Sequence, residues 1–264
     1  MISYDAHQAF RSIHLSTEQQ LAAVVSAANN LTNVITGKVG EIDKAIANAR
    51  LAYDAQLAEL KNRLPRLAVT KNFNLSPNAD GTLIENWGIH AEVTPTKLRT
   101  ITPVSQAAGR PQADVDFMLQ VQADVREQYP SFEIRASDYW RTFVYLWQMK
   151  WSVSDVSPWL AFPYTVDMAL ANGSGAVPQN SYLTVGAFVR LLEGNVSGAW
   201  SNGVEKGKWR WCSSVISPTE LFGSYYHLHP MRTSSTGVVE VMLAGACTGV
   251  VTNPGDWGTM LALG

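Results

Sequence analysis

The chain has 264 residues, 46% of them hydrophobic and 16% charged, a composition that suits one or two folded cores and excludes a disordered chain. A net charge of -2 and a pI near 6.2, with no Lys/Arg cluster, argue against nucleic acid as a partner. The opening MISYDAHQAFRSIHL lacks a signal-peptide pattern, and the run VVEVMLAGACTGVV is too short to span a bilayer and carries Glu240, so no export and no membrane insertion are expected.

Residues 1 to 15 read as a separate N-terminal segment, because Ser16 or Thr17, followed by Glu18 to Gln20, has the chemistry of a helix cap and first turn. From there the apolar positions Leu21, Val24, Ala28, Leu31, Ile35, Val39, Ile42, Ile46, Ala49, Tyr53, Leu57, Leu60 and Leu64 follow one another in steps of three or four. Consecutive fours at Leu31, Ile35 and Val39 and at Ala49, Tyr53 and Leu57 pull the period toward 3.6 and straighten the supercoil. Pro65 stops the pattern, which defines a helix over 16–64 about 70 Å long. Its apolar stripe has the width of a coiled-coil seam. Ile and Val at both kinds of seam position (Ile35, Val39, Ile42, Ile46) lean toward three strands, with Leu21, Leu31, Leu57 and Leu60 completing the seam. The alternative is an αα-hairpin broken at Gly37 and Gly40.

Residues 65 to 135 read as a connector or small mixed module: short strands around the NADG turn, then a short helix within 112–130 whose apolar side is Val115, Met118, Leu119, Val121 and Val125. The segment 139–153 fits either a helix stripe or a strand face, and its aromatic content favours strand. The remainder, 136–264, is poor in charge and broken by the turn signals SNG, EKG, SSTG and NPGD, which predicts a mainly antiparallel β domain, sandwich or barrel. The fold class is therefore α+β, a long N-terminal helix followed by a β-rich C-terminal domain.

Signatures for common catalytic chemistry (GxSxG, HExxH, GxGxxG, a Walker loop) do not occur, and the GSG of 173–175 reads as a flexible loop. Asp155, Asp167, Glu220 and Asp256 are the acids from which a glycosidase pair would be drawn, though sequence spacing alone brings no two of them together. Cys212 and Cys247 match no CxxC spacing and read as buried thiols. Trp209 and Trp211 share one side of a strand, with Lys208 and Arg210 on the other; together they form either a platform for a sugar ring or part of the core. His227 and His229, on a strand, project from one face. They are either half-exposed histidines or, contributed by three chains around an axis, six nitrogens suited to iron or another transition metal.

This layout, a stuttered coil over 16–64, a Gly/Trp/Thr-rich β end and one HxH at 227–229, resembles the trimeric fibre and spike proteins of tailed bacteriophages. The resemblance implies a homotrimeric structural virion protein, a tail or head fibre made in the host cytoplasm, without enzymatic activity. Residues 1–15 would attach to the particle. The β domain would contact other virion proteins or a host cell-surface glycan, and members of that class hold iron on their axis through HxH. Alternatives from other classes are a tailspike-type carbohydrate-degrading enzyme and a lectin or adhesin on a coiled-coil stalk.

Overall fold

The computed structural model describes residues 4–63, 66–138, 142–153, 156, 158–166, 176–258 and 261–262. The chain divides into two compact units, 1–63 and 64–264.

The first unit is one unbroken helix, α1 (Tyr4–Arg63), of 60 residues, about 90 Å at 1.5 Å per residue. Gly37 and Gly40 lie inside it, so the helix does not fold back as a hairpin. It also begins twelve residues before the expected cap, which corrects the reading of 1–15 as a separate segment. The hydroxyl read as a cap is absorbed by the helix itself: Thr17 Oγ1 donates to the carbonyl of Ile13 at 2.8 Å, as Thr32 does to Ala28 at 2.9 Å. With the helix extended, Phe10 and Ile13 continue the apolar stripe toward the N-terminus. Every seam residue from Leu21 to Leu60 is exposed within the single chain, between 36% and 64%.

The second unit is built on a seven-stranded sheet formed by β1 (Leu67–Ala68), β3 (Val93–Ile101), β4 (Val144–Ser152), β7 (Leu183–Glu193), β9 (Trp209–Ile216), β12 (Thr236–Thr248) and β13 (Leu261–Ala262). All pairings are antiparallel except β1 with β13. The long β12 organises the sheet. One edge of it pairs with β7, and the other pairs first with β4 and then, through Cys247 opposite Ala68, with β1. The sheet stays open, with β9 at one margin and β3 at another. Three two-stranded ribbons flank it: β2 (Trp87–Ile89) with β5 (Ala161–Pro163), β6 (Ala176–Pro178) with β10 (Tyr225–His227), and β8 (Val196–Ser197) with β11 (Met231–Arg232).

Both faces of the sheet are buried. Trp147, Met149, Trp151, Val185, Ala187, Val189, Val239 and Val241 pack on one side, with Trp200, Leu160 and Leu228 above them. On the other side Leu146, Phe188, Met242, Trp209 and Trp211 meet α2 (Gln112–Arg126) through Phe117, Met118, Val121 and Val125. The alternation of neighbours between faces is the period of a strand, which settles 144–152 as a strand. A side chain at Gly237 would place its Cβ 1.8 Å from the ring of Trp151, its cross-strand partner, so glycine at that position is required by packing.

This arrangement corrects the division at 135. Strand β3 pairs with β4 along its length, and α2 supplies one layer of the core, so 65–135 and 136–264 are parts of one unit.

Candidate functional site

The two tryptophans read either as a sugar platform or as core are core residues. Trp209 is 0% and Trp211 4% exposed. Strand β9 does put both rings on one face, but α2 and the segment after it cover that face. Phe117 meets Trp209 edge-on at 5.7 Å, and Tyr129 and Trp257 lie 5.8 and 5.9 Å from Trp211. A ring covered on its faces has none free for a sugar, so the platform reading is corrected. Lys208 and Arg210, expected on the opposite side, also reach α2's end. Lys208 Nζ lies 2.7 Å and Arg210 Nη2 2.6 Å from the Glu127 carboxylate, and Arg210 also donates to Glu205 and to the carbonyl of Asp124. Hydrogen bonds from Lys208 and then Arg210 hold Glu127 below the ordinary carboxylate range. This network fastens α2 to the β9 margin.

His227 and His229 do lie together, with ring centroids 5.1 Å apart. His227 is exposed and stacks edge-on with Tyr225 at 5.1 Å. His229 is half-buried against Trp159 and Phe162, and its Nδ1 is buried without a hydrogen-bond partner. Burial, and then the neighbouring His227, push its pKa below the ordinary histidine value. Among the described residues no group of three or more His, Cys, Asp or Glu side chains is gathered to hold a metal ion. Strand β10 ends at His227, so the two histidines do not share a strand face as expected; His229 follows the strand, and one chain offers two neighbouring imidazoles.

A groove of about 440 Å³ between α2 and the sheet was not singled out in the sequence. Arg99, Asp116, Phe117, Gln120, Arg190 and Glu240 line it. Arg190 and Glu240 are cross-strand partners on β7 and β12, joined through Nε at 2.8 Å and Nη2 at 2.6 Å to Glu240 Oε2. Glu240 is buried, and a desolvated pair of this kind is costly unless its geometry is close to ideal. Arg190 also lies over the Trp209 ring at 5.1 Å, while Arg99 lies over Phe117 at 5.1 Å and pairs with Asp114 at 2.6 Å. The lining therefore presents two guanidiniums, each already paired with a carboxylate, together with Asp116 and the Gln120 carboxamide. Such a set can donate to and accept from an uncharged, hydroxyl-bearing group. The sequence signal was one charge inside each of two apolar runs, FVRLL and VVEVML.

The candidate acids do not assemble into a catalytic pair in what is described. Glu220 is exposed on the turn after β9, Asp256 faces Arg66 at 3.3 Å, and Asp155, Asp167 and the GSG of 173–175 lie outside the described residues. Cys212 and Cys247 are buried free thiols, and burial pushes each pKa up to about 12. No helix among the described residues is long and apolar enough to cross a membrane. Comparison of the chain with protein-family models, with curated proteins and with solved structures returns no match.

Proposed function

We propose that the chain is a structural virion protein of a tailed bacteriophage, a tail or head fibre. In this reading three parallel copies of α1 wind into a stalk whose N-terminal end attaches to the particle. The β-rich unit is then presented to a neighbouring virion protein or to a glycan of the host surface. The observation that carries the reading is the stripe on α1, apolar, continuous and exposed for the length of the helix. Burying each Leu, Ile or Val side chain is worth about 1.5–3 kcal/mol. The eight seam residues are about half exposed in the single chain, so together they offer about 6–12 kcal/mol per chain to a partner with a matching stripe, and two further copies of α1 are such partners. The groove beside Arg190 and Glu240, with both guanidiniums paired and the Gln120 carboxamide and Asp116 in its lining, supports contact with an uncharged, hydroxyl-bearing glycan.

Meeting around a threefold axis, His227 and His229 of three chains would supply six imidazole nitrogens to one iron or similar ion. Elemental analysis of protein purified without a metal column should then find about one metal per three chains, and none after His229→Ala.

The presenting role is tested with Ile42→Asp combined with Ile46→Asp. Three linked heads should bind a glycan-bearing host surface on the order of 100-fold more tightly than one head. The double variant should lose that factor, and equal binding by the variant and the parent would contradict the reading.

A further inference from the structure

Phe222 is the most exposed large hydrophobic side chain among the described residues, at 107%, and so touches almost nothing of its own chain. Its neighbours Leu221 and Tyr225 are also exposed. An apolar tip of this kind is costly in water unless something covers it. The tip is also not a loose loop. Ser224 N donates to the carbonyl of Leu221 at 3.2 Å, which closes a β-turn with Gly223 at φ 73° in its third position. Both ends of the turn are fastened to one residue: Thr219 N donates to the Gln179 carbonyl at 2.9 Å, and Gln179 N to the Ser224 carbonyl at 3.0 Å. Ser224 Oγ adds a bond to Gln179 Oε1 at 2.8 Å. The fold therefore holds Leu221 and Phe222 out into solvent, with little entropy left to lose on docking.

The same unit carries an apolar cavity of about 390 Å³, lined by Phe73, Phe132, Ile134, Phe188, Met242 and Leu243. Leu243 stands at φ 49°, where the register between β12 and β7 shifts. An apolar cavity of about 150 Å³ accommodates a benzene molecule, so this one has room for a benzyl group with a branched aliphatic chain beside it. Glu133 and Arg135 border it.

We propose that Phe222, with Leu221, docks into this cavity on a second copy of the chain. The proposal rests on the self-association read from α1 and adds a contact between β-rich units. Knob and cavity are different surfaces, so the contact is head-to-tail, and repetition around a threefold axis closes it into a ring. Each chain then gives one knob and receives one.

The test places the photo-crosslinking residue p-benzoylphenylalanine at position 222 of the full chain, in mixed light and heavy isotope-labelled protein. Because Phe222 is unpacked, the replacement leaves the fold undisturbed. Irradiation should join residue 222 of one chain to peptides bearing Ile134 or Met242 of another, as labelled pairs in mass spectrometry. The yield should fall at least tenfold when Thr142→Trp, at an exposed position of the lining, fills the cavity. Protein that sediments as a trimer but gives crosslinks only to other segments, or none between chains, overturns this contact and leaves the stalk standing. Protein that sediments as a monomer overturns both.

Discussion

Helix α1 and the β-rich unit are made from the same chain yet treat their apolar residues in opposite ways. In the β-rich unit Trp147, Trp151, Trp200, Trp209 and Trp257 are fully buried, and two layers of side chains close both faces of the sheet. In α1 every seam residue is exposed. Propensity does not account for the difference, since a long isolated helix in water is held mainly by what packs on its apolar face. The β-rich unit contains its own partner layers. Helix α1 has a stripe and, within its own unit, no covering layer, and the trimer proposed above would supply one.

The sharpest way to break this comparison is at the stripe. Ile42→Asp with Ile46→Asp places two carboxylates per chain on the seam and should reduce the mass in solution to that of one chain. Most of the helical circular dichroism from the 60-residue helix should go with it. The β-rich unit should keep its own melting transition, because its core is complete without α1. A loss of both transitions together would mean that the two units are not independent.

A smaller effect is expected inside the β-rich unit. Trp209→Ala removes a fully buried ring packed on Phe117 and beneath Arg190, and should cost about 3–5 kcal/mol of that unit's stability. The oligomer mass should not change. A variant that melts like the parent but has lost glycan binding would restore the platform that the packing of α2 argues against.

The smallest effect concerns pH. Glu127 titrates below its ordinary value of 4.5 because Lys208 and Arg210 hold its charged form. A depressed carboxylate stabilises the fold above its unfolded pKa, and that contribution is lost as pH falls through the folded pKa. The melting temperature of the β-rich unit should therefore drop below about pH 4.5, and Glu127→Gln should drop less steeply. The carboxylate is exposed, so salt should weaken the difference. An identical acid limb in parent and variant would remove Glu127 from the fastening of α2.

The larger elements were legible because each repeats a period over many residues. The three-and-four steps gave α1 and α2, and apolar runs between turn signals gave β7, β9 and β12. The start of α1 was misplaced because Ser16 and Thr17 have cap chemistry, yet a helix can absorb a threonine hydroxyl by a bond to the carbonyl four residues back, as Thr17 does. The supposed boundary at 135 failed for a different reason. Pairing of β3 with β4 joins residues about 50 apart in sequence, such as Val93 with Trp151 and Ile101 with Val144, and no local pattern announces it. Period two placed Trp209 and Trp211 on one face but could not say that a helix from residues 112–126 covers that face. The groove was hidden likewise, since Arg190 and Glu240 become neighbours only through the register of β7 on β12.

The central claim is that the partner of the α1 stripe is other copies of the chain, and the most direct test is the mass of the native protein by sedimentation equilibrium over a wide concentration range. The account expects three times the 28.9 kDa chain mass, constant down to low concentration. A single 28.9 kDa species at all concentrations would contradict it.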